Sequence, residues 1–322
     1  MKKALITGVS GQDGYFLSKL LLSKDYTVFG MLNGQSENTS RKLSEELPEV
    51  IQIKGDLSDT SSLMSAISNT KPEEIYNLGA VSHVGISFTQ PELTANVTGL
   101  GVLRLLEAVR NLKAQKHIRI YQASSSEIYG RVREVPQNEL TPLHPRSPYG
   151  CAKSFAHHIC VNYREAYDMY ISCGILFNHE SEKRGHEFVT RKISSGVARI
   201  KHKKQEKIKL GNLEAKRDWG YAGDYVEAMW LMMQQEKPDD FVIATGETHT
   251  VREFVEIAIE AAGLSGAIED FIEIDSAFIR PSEVDLLIGD SIKAKNILGW
   301  KPRVKFNELV KLMVENDLIL EK

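Results

Sequence analysis

Residues 2–14, KKALITGVSGQDG, decide the fold. The apolar run in KKALITG reads as a strand. Gly8, Gly11 and Gly14 follow at three-residue spacing. Residues 12–24 then carry Tyr15, Phe16, Leu17, Leu20, Leu21 and Leu22 in a helical pattern. A strand that runs through a glycine-rich turn into a helix suits a pyrophosphate. Glycine lets the backbone turn sharply and approach the anion, and the helix N-terminus supplies unpaired N–H donors and partial positive charge. The spacing is GxxGxxG, which departs from the GxGxxG dinucleotide fingerprint.

Outward from this stretch the alternation continues. TVFGML (27–32), VIQIKGD (50–56), EIYNLGA (74–80) and IRIYQASS (118–125) read as strands, with helical patterns between most of them. One is residues 96–111, with Val97, Leu100, Leu103, Leu106 and Val109 on its apolar face. Strands apolar on both faces, alternating with helices, imply a parallel sheet wrapped by helices. Right-handed crossovers make that an α/β doubly wound, Rossmann-like sheet. After about residue 175 the texture becomes loop-rich and charged, with strand-like KIKLG, FVIATG and DLLIG interspersed. The expected division is a dinucleotide-binding domain of 1–178, with returning segments near 215–245 and 284–300. A smaller mixed α/β substrate domain then takes 179–214, 246–283 and 301–322. The basic run from Arg199 to Lys209 reads as a solvated helix end.

The 322 residues are 42% hydrophobic and 26% charged, enough apolar surface for a full core. A net charge of −3 favours neither a nucleic-acid nor an anionic-membrane partner. There is no apolar run of 18 residues, and the N-terminus is too short in apolar residues for a signal h-region, so a cytoplasmic chain is expected. Cys151, Cys160 and Cys173, odd in number and without CxxC spacing, suggest neither a disulfide framework nor a zinc site.

Four further groups carry chemistry. Asp56, in Gly55-Asp56-Leu57 after the third strand, can accept from an adenine amino group or cap the helix near 59–68. Asn77-Leu78-Gly79-Ala80 ends the fourth strand with small residues, beside which a cofactor can lie. Tyr149 and Lys153 share one face of a helix, where an ammonium can stabilise a phenolate and lower its pKa. Tyr15 and Lys19 have the same spacing, but their helix face is expected to be solvated. Tyr149 instead follows a strand ending in Ser124-Ser125-Ser126, and Tyr, Lys and Ser together make a hydride-transfer site. Glu127 shares a face with Ser125 if the strand extends through it, and it adds a second proton acceptor.

Taken together, these residues resemble the extended short-chain dehydrogenase/reductase superfamily. Longer strings resemble one family within it, the GDP-mannose 4,6-dehydratases: LITGVSGQDG, IYNLGAVSHV, YQASSSEIYG, PRSPYG, GILFNHES, FVTRKI, LGNLEAKRDWG, DYVEAMWLM, FVIATGE, RPSEVD and GWKPRV. The resemblance implies a catalytic set of Ser125, Glu127, Tyr149 and Lys153, with Ser125 where the family usually has Thr. It implies cofactor contacts from Gly8, Gly11, Gln12, Asp13, Asp56, Leu57, Leu78, Ala80, Ser82, Tyr149, Lys153, His179 and Arg184. It implies substrate contacts from Ser87, Ser126, Asn178, Val189, Lys192, Arg217, Arg280 and Glu283, and no metal. Lys192, Arg217 and Arg280 are cations suited to a diphosphate.

The implied activity is an internal redox dehydration of a GDP-sugar, and the implied assembly is a homo-oligomer, dimer or tetramer. The implied cofactor is NADP, with NAD open. The family's Arg-Arg pair after the second strand is replaced by Leu32-Asn33-Gly34-Gln35-Ser36, and no acidic residue stands there to hold a ribose. Rival readings are a 4-keto reductase, a dehydratase for another GDP-hexose or a GDP-heptose, and a non-catalytic cofactor-binding sensor.

Overall fold

A computed structural model describes residues 1–34, 37–278 and 286–322. Seven parallel strands form the central sheet. Across it they run Asp240–Ile243, Ile171–Leu176, Arg119–Ser125, Glu74–Asn77, Lys3–Thr7, Thr27–Leu32 and Ile51–Lys54. Each strand sends alternate side chains to opposite faces. Ala4, Ile6, Tyr76, Tyr121 and Ala123 join Leu17, Leu21, Tyr225, Met229 and Met232 on one face. Leu5, Ile75 and Ile120 join Leu63, Ile67, Val102, Leu105 and Leu106 on the other. Helices cover both faces, so the inner strands are buried on both sides, while the edge strand Ile51–Lys54 stays partly exposed. This is the doubly wound sheet.

Strand order reverses between Lys3–Thr7 and Glu74–Asn77. Ligands of open α/β sheets bind in the crevice beyond the carboxyl ends at such a point. The joint is tied internally. Thr7 Oγ1 donates to Asn77 Oδ1 (2.6 Å) and accepts from Gly79 N (2.9 Å).

A third core joins Ile193, Val197, Trp219, Phe254, Leu309 and Met313. It packs the helices Val189–Lys201, Val251–Ala261 and Phe306–Leu320 together. Segments 179–214 and 246–278 are therefore less loop-like than their charge suggests. The two-stranded pairs Asn178–Glu180 with Trp219–Tyr221, Lys216–Arg217 with His249–Thr250, and Ile208–Leu210 with Ile272–Ile274 link this part.

Several expectations shift. The helix expected over 96–111 begins as a π-helix, Ala95–Leu100, and becomes α-helical at Gly101–Asn111. The wider turn changes the phase, so Leu100 is exposed while Val102, Leu105 and Leu106 are buried. Of DLLIG, Gly289 makes one isolated bridge, to Gln137, and no strand forms among the described residues. The Arg199–Lys209 run is part helix end and part strand, since Ile208–Leu210 pairs with Ile272–Ile274. No described helix is long and apolar enough to cross a membrane.

Candidate active site

A cavity of about 640 Å³ opens beyond the carboxyl ends of the strands, between the sheet and the third core. Its floor is the glycine turn. Gly8 has φ +69°, and a Cβ there would stand 2.8 Å from Gly79 N. A Cβ on Gly14 would come within 2.5 Å of the Val9 backbone. Helix Gln12–Ser23 starts at Gly11 with no side-chain cap, leaving its first amides to another acceptor. Gly8, Gly11, Gln12 and Asp13 line the cavity. An uncapped helix N-terminus with no Cβ in the way fits a dinucleotide pyrophosphate.

Beside it, His179 Nε2 lies 2.9 Å from Asp13 Oδ2, and Nδ1 lies 2.8 Å from the Phe177 carbonyl. An ionised Asp13 and the Phe177 carbonyl both accept, an arrangement that favours a proton on each ring nitrogen. Burial opposes both charges. The ion pair outweighs it, holding Asp13 below the usual carboxylate range and raising His179. The imidazole stacks on Tyr225, ring centroids 4.6 Å apart. Gln12 Nε2 donates to the His179 carbonyl (3.0 Å), and Ser181 Oγ donates to Gln12 Oε1 (2.7 Å).

The facing wall carries the proposed catalytic groups. Ser147 caps the helix Pro148–Tyr167 by accepting from Gly150 N (3.0 Å), with Pro148 in the first turn. Tyr149 and Lys153 then lie one turn apart, both buried. Lys153 Nζ donates to the Ala123 carbonyl at 2.6 Å. Burial lowers the Lys153 pKa to about 8. Burial raises that of Tyr149 to about 12, and a hydrogen bond with Ser125 only partly offsets this. The lowered phenol expected from the Tyr–Lys spacing is thus reversed in the protein alone, because desolvation dominates.

The strand Arg119–Ser125 ends before Glu127. Ser125 instead caps a 3₁₀ turn, Ser126–Ile128, accepting from Glu127 N at 3.3 Å. That turn, and not strand alternation, brings Glu127 into the cavity wall with Ser125, Tyr149 and Lys153.

The third wall is cationic. Lys192 Nζ sits 3.2 Å from the centroid of Phe278, and burial lowers its pKa. Arg184 pairs with Glu180 (3.0 Å), its guanidinium 3.6 Å from the Phe188 centroid. Arg217 is buried and donates to the Lys216 carbonyl at 2.7 Å. Its neighbour Asp218 accepts from Thr245 N (2.9 Å), Thr245 Oγ1 (2.7 Å) and Gly246 N (2.9 Å), which fixes this strand end.

Leu78, Ala80, Ser82, Asn178 and Val189 also reach the cavity. Four expected contacts are not among its lining residues. Asp56 accepts from Ser58 N and Oγ, each at 2.7 Å, and Leu57 is in the core. Asp59, not Asp56, caps the following helix. Ser87 is buried, donating to the Val84 carbonyl at 2.6 Å, and Ser126 is buried in the 3₁₀ turn. Arg280 and Glu283 lie outside the described residues. The lining also includes His83, Phe188, Asn212, Trp219 and Phe278, which spacing did not single out. They come from four separated segments, so no local period marks them; His83, Phe188, Asn212 and Trp219 lie inside strings that carry the family resemblance, and Phe278 lies in none.

A family model described as GDP-mannose 4,6 dehydratase matches residues 5–313. The chain belongs to this family. It is 52% identical over 331 residues to GDP-mannose 4,6 dehydratase 1 of Arabidopsis thaliana, covering 100% of this chain and 91% of that one. Similarity to the Homo sapiens GDP-mannose 4,6 dehydratase is 50% identity over 340 residues, covering 98% and 91%. Among solved structures, the Thermus thermophilus UDP-glucose 4-epimerase complex with NAD aligns with a TM-score of 0.84 at 25% identity, covering 98% of each chain. The GDP-mannose 4,6-dehydratase family thus accounts for the doubly wound sheet and the cavity at its switch point.

Proposed function

We propose that this protein is a GDP-mannose 4,6-dehydratase, a hydro-lyase converting GDP-mannose to GDP-4-keto-6-deoxymannose. The observation that carries the reading is about half identity to such enzymes over essentially the whole chain. The convergence of Ser125, Glu127, Tyr149 and Lys153 on one cavity supports it.

A nicotinamide cofactor, held at the glycine turn by Gly8, Gly11, Gln12 and Asp13, would supply reversible hydride chemistry for oxidation at sugar C4 and reduction at C6. The protein's groups manage protons. Tyr149 takes the 4-hydroxyl proton, and Ser125 holds the oxygen. Lys153 keeps positive charge near the phenolate. The new 4-ketone acidifies C5–H, and Glu127 removes that proton and assists departure of the C6 hydroxyl as water. A plain reductase has no use for Glu127. Lys192 and Arg217 face the diphosphate, and Asn178 and Val189 the sugar. The third core carries this sugar-nucleotide side, while residues up to about 178 with the returning segments carry the cofactor.

NADP is the favoured cofactor. The end of strand Thr27–Leu32 offers Asn33 and Gly34 and no carboxylate, which leaves room for a 2′-phosphate. A homo-oligomer belongs to the same reading, supported by exposed Leu93, Leu100 and Phe155 on helices that pack together.

The deciding experiment is incubation with GDP-mannose without added reductant, followed by mass spectrometry. Loss of one water with no net cofactor use is expected. A product that forms only in proportion to supplied reductant overturns the dehydratase in favour of a 4-keto reductase.

A further inference from the structure

Behind the catalytic helix lies a polar cluster that the dehydration does not use. His157 stands on the helix Pro148–Tyr167, one turn beyond Lys153. Its Nδ1 is 3.0 Å from Ser124 Oγ, and its Nε2 lies 3.9 Å from Asp240 Oδ2. Cys173 comes from the strand Ile171–Leu176 and Asp240 from the edge strand Asp240–Ile243. One nitrogen, one sulfur and one oxygen atom from these residues lie within 4.8 Å of one another. Cys160, three residues on from His157 along the helix, is buried in the same core as Cys173. His157, Cys160 and Cys173 are buried, while the Asp240 side chain keeps 18% exposure and gives a cation access from the sheet edge.

We propose that His157, Cys173 and Asp240 form a binding site for a borderline-soft divalent cation of the zinc class, with Cys160 as the adjoining sulfur. Imidazole, thiolate and carboxylate are the donor set such a cation takes, at about 2.0–2.3 Å each. A cation at those lengths spans the 3.9 Å between Nε2 and Oδ2. Each ligand is already oriented from outside. Ser124 engages Nδ1 and leaves Nε2 inward. Arg164 engages Oδ1 of Asp240 and leaves Oδ2 inward. The Arg164 guanidinium, 4.0 Å from Cys173 Sγ, opposes a second positive charge. Binding offsets this because the thiol gives its proton to solvent and becomes thiolate. Such a site is structural. It ties the catalytic helix to two strands of the sheet and leaves the active-site cavity untouched. Cysteine spacing gave no sign of it, since its ligands come from three elements.

The test uses the full chain carrying Cys151→Ser, which removes the exposed thiol, with cobalt(II) as probe. Expected are thiolate-to-cobalt charge-transfer and visible d–d bands saturating at about one equivalent per chain, displaced by zinc(II). Adding Cys173→Ser abolishes the charge-transfer band. His157→Gln, which fills similar space, keeps the fold by circular dichroism and loses tight binding. Ser124→Ala weakens binding by about 10–100-fold. Absence of saturable binding, or a cobalt spectrum unchanged by Cys173→Ser or His157→Gln, overturns the site and leaves a polar cluster organised by Arg164.

Discussion

Lys153 Nζ stands 5.8 Å from the centroid of the Tyr149 ring, one helical turn along the same face. The two are buried together, and burial drives their pKa values apart, Tyr149 up from 10.0 to about 12 and Lys153 down from 10.5 to about 8, because each neutral form is favoured out of water. Positive charge brought beside the phenol is what makes it a usable base. Tyr149→Phe keeps the ring and its packing but removes the proposed base. Turnover is expected to fall by at least about 10²–10⁴-fold, with folding and cofactor affinity retained. A variant within a few-fold of wild type sinks the assignment.

Lys153 has a second consequence. Its folded pKa lies below the ordinary 10.5. Below about pH 8 the buried ammonium costs stability, and that cost disappears as pH rises from 8 through 10.5, where the unfolded chain holds the extra proton. Lys153→Met is therefore expected to be inactive yet more stable than wild type at pH 7, with the advantage shrinking toward pH 10. Urea midpoints at the two pH values measure this. An equal deficit at both would mean that the hydrogen bond to Ala123 outweighs desolvation.

The strand–glycine–helix start was legible because one contiguous stretch carries all its signals. The strand Ile171–Leu176 was not, since Ser172, Cys173 and Gly174 interrupt its apolar run and both faces are buried, so no alternation marks it. Helix Val189–Lys201 hid for another reason. Its buried face carries Arg191 and Ser194, which are satisfied by Asp317 on the helix Phe306–Leu320 at 2.7 and 2.6 Å. A polar buried face defeats a hydrophobic period. Helix Val251–Ala261 could have been read, for Thr250 and Glu253 form a capping box. At the site, Tyr149 and Lys153 were readable from helical spacing, whereas Glu127 needed a 3₁₀ turn that strand alternation does not foresee.

The Asp13–His179 pair gives a pH window. Asp13 is lowered from 3.8, so its contribution is present above that value and lost as pH falls through the folded pKa. His179 is raised from 6.5, so its contribution is full below that value and lost as pH rises through the folded pKa. The pair stabilises most between roughly pH 4 and 6.5. His179→Gln is expected to cost about 1–3 kcal/mol at pH 5.5 and less at pH 9, read from denaturant midpoints. A pH-independent loss would mean that packing on Tyr225, not charge, is what the ring provides.

Arg217 tests the anion wall. Arg217→Ala removes a buried, charge-assisted partner of the proposed diphosphate, a loss of about 1.5–3 kcal/mol in GDP-sugar affinity. Cofactor affinity should hardly move. Calorimetric titration of both ligands decides, and an equal loss for the cofactor would make Arg217 a structural residue.

Glu127 separates dehydration from oxidation. Glu127→Gln keeps size and hydrogen-bonding capacity but cannot act as a base. In the proposed mechanism oxidation at C4 depends on Tyr149 and Lys153, so it should survive. Elimination across C5 and C6 should fall by about 10²–10⁴-fold. With NADP and GDP-mannose, the variant should therefore build up nicotinamide absorbance and a 4-keto sugar that retains its water, whereas wild type shows little accumulation. Unchanged release of the 6-deoxy product would make Glu127 a bystander, and the simpler oxidoreductase reading would gain. If the variant binds GDP-mannose yet never reduces the cofactor, Glu127 acts earlier, in seating the sugar. That outcome has a structural route, because the 3₁₀ turn carrying Glu127 is capped by the Ser125 hydroxyl. A disturbed carboxylate would then shift the group that hydrogen-bonds with Tyr149.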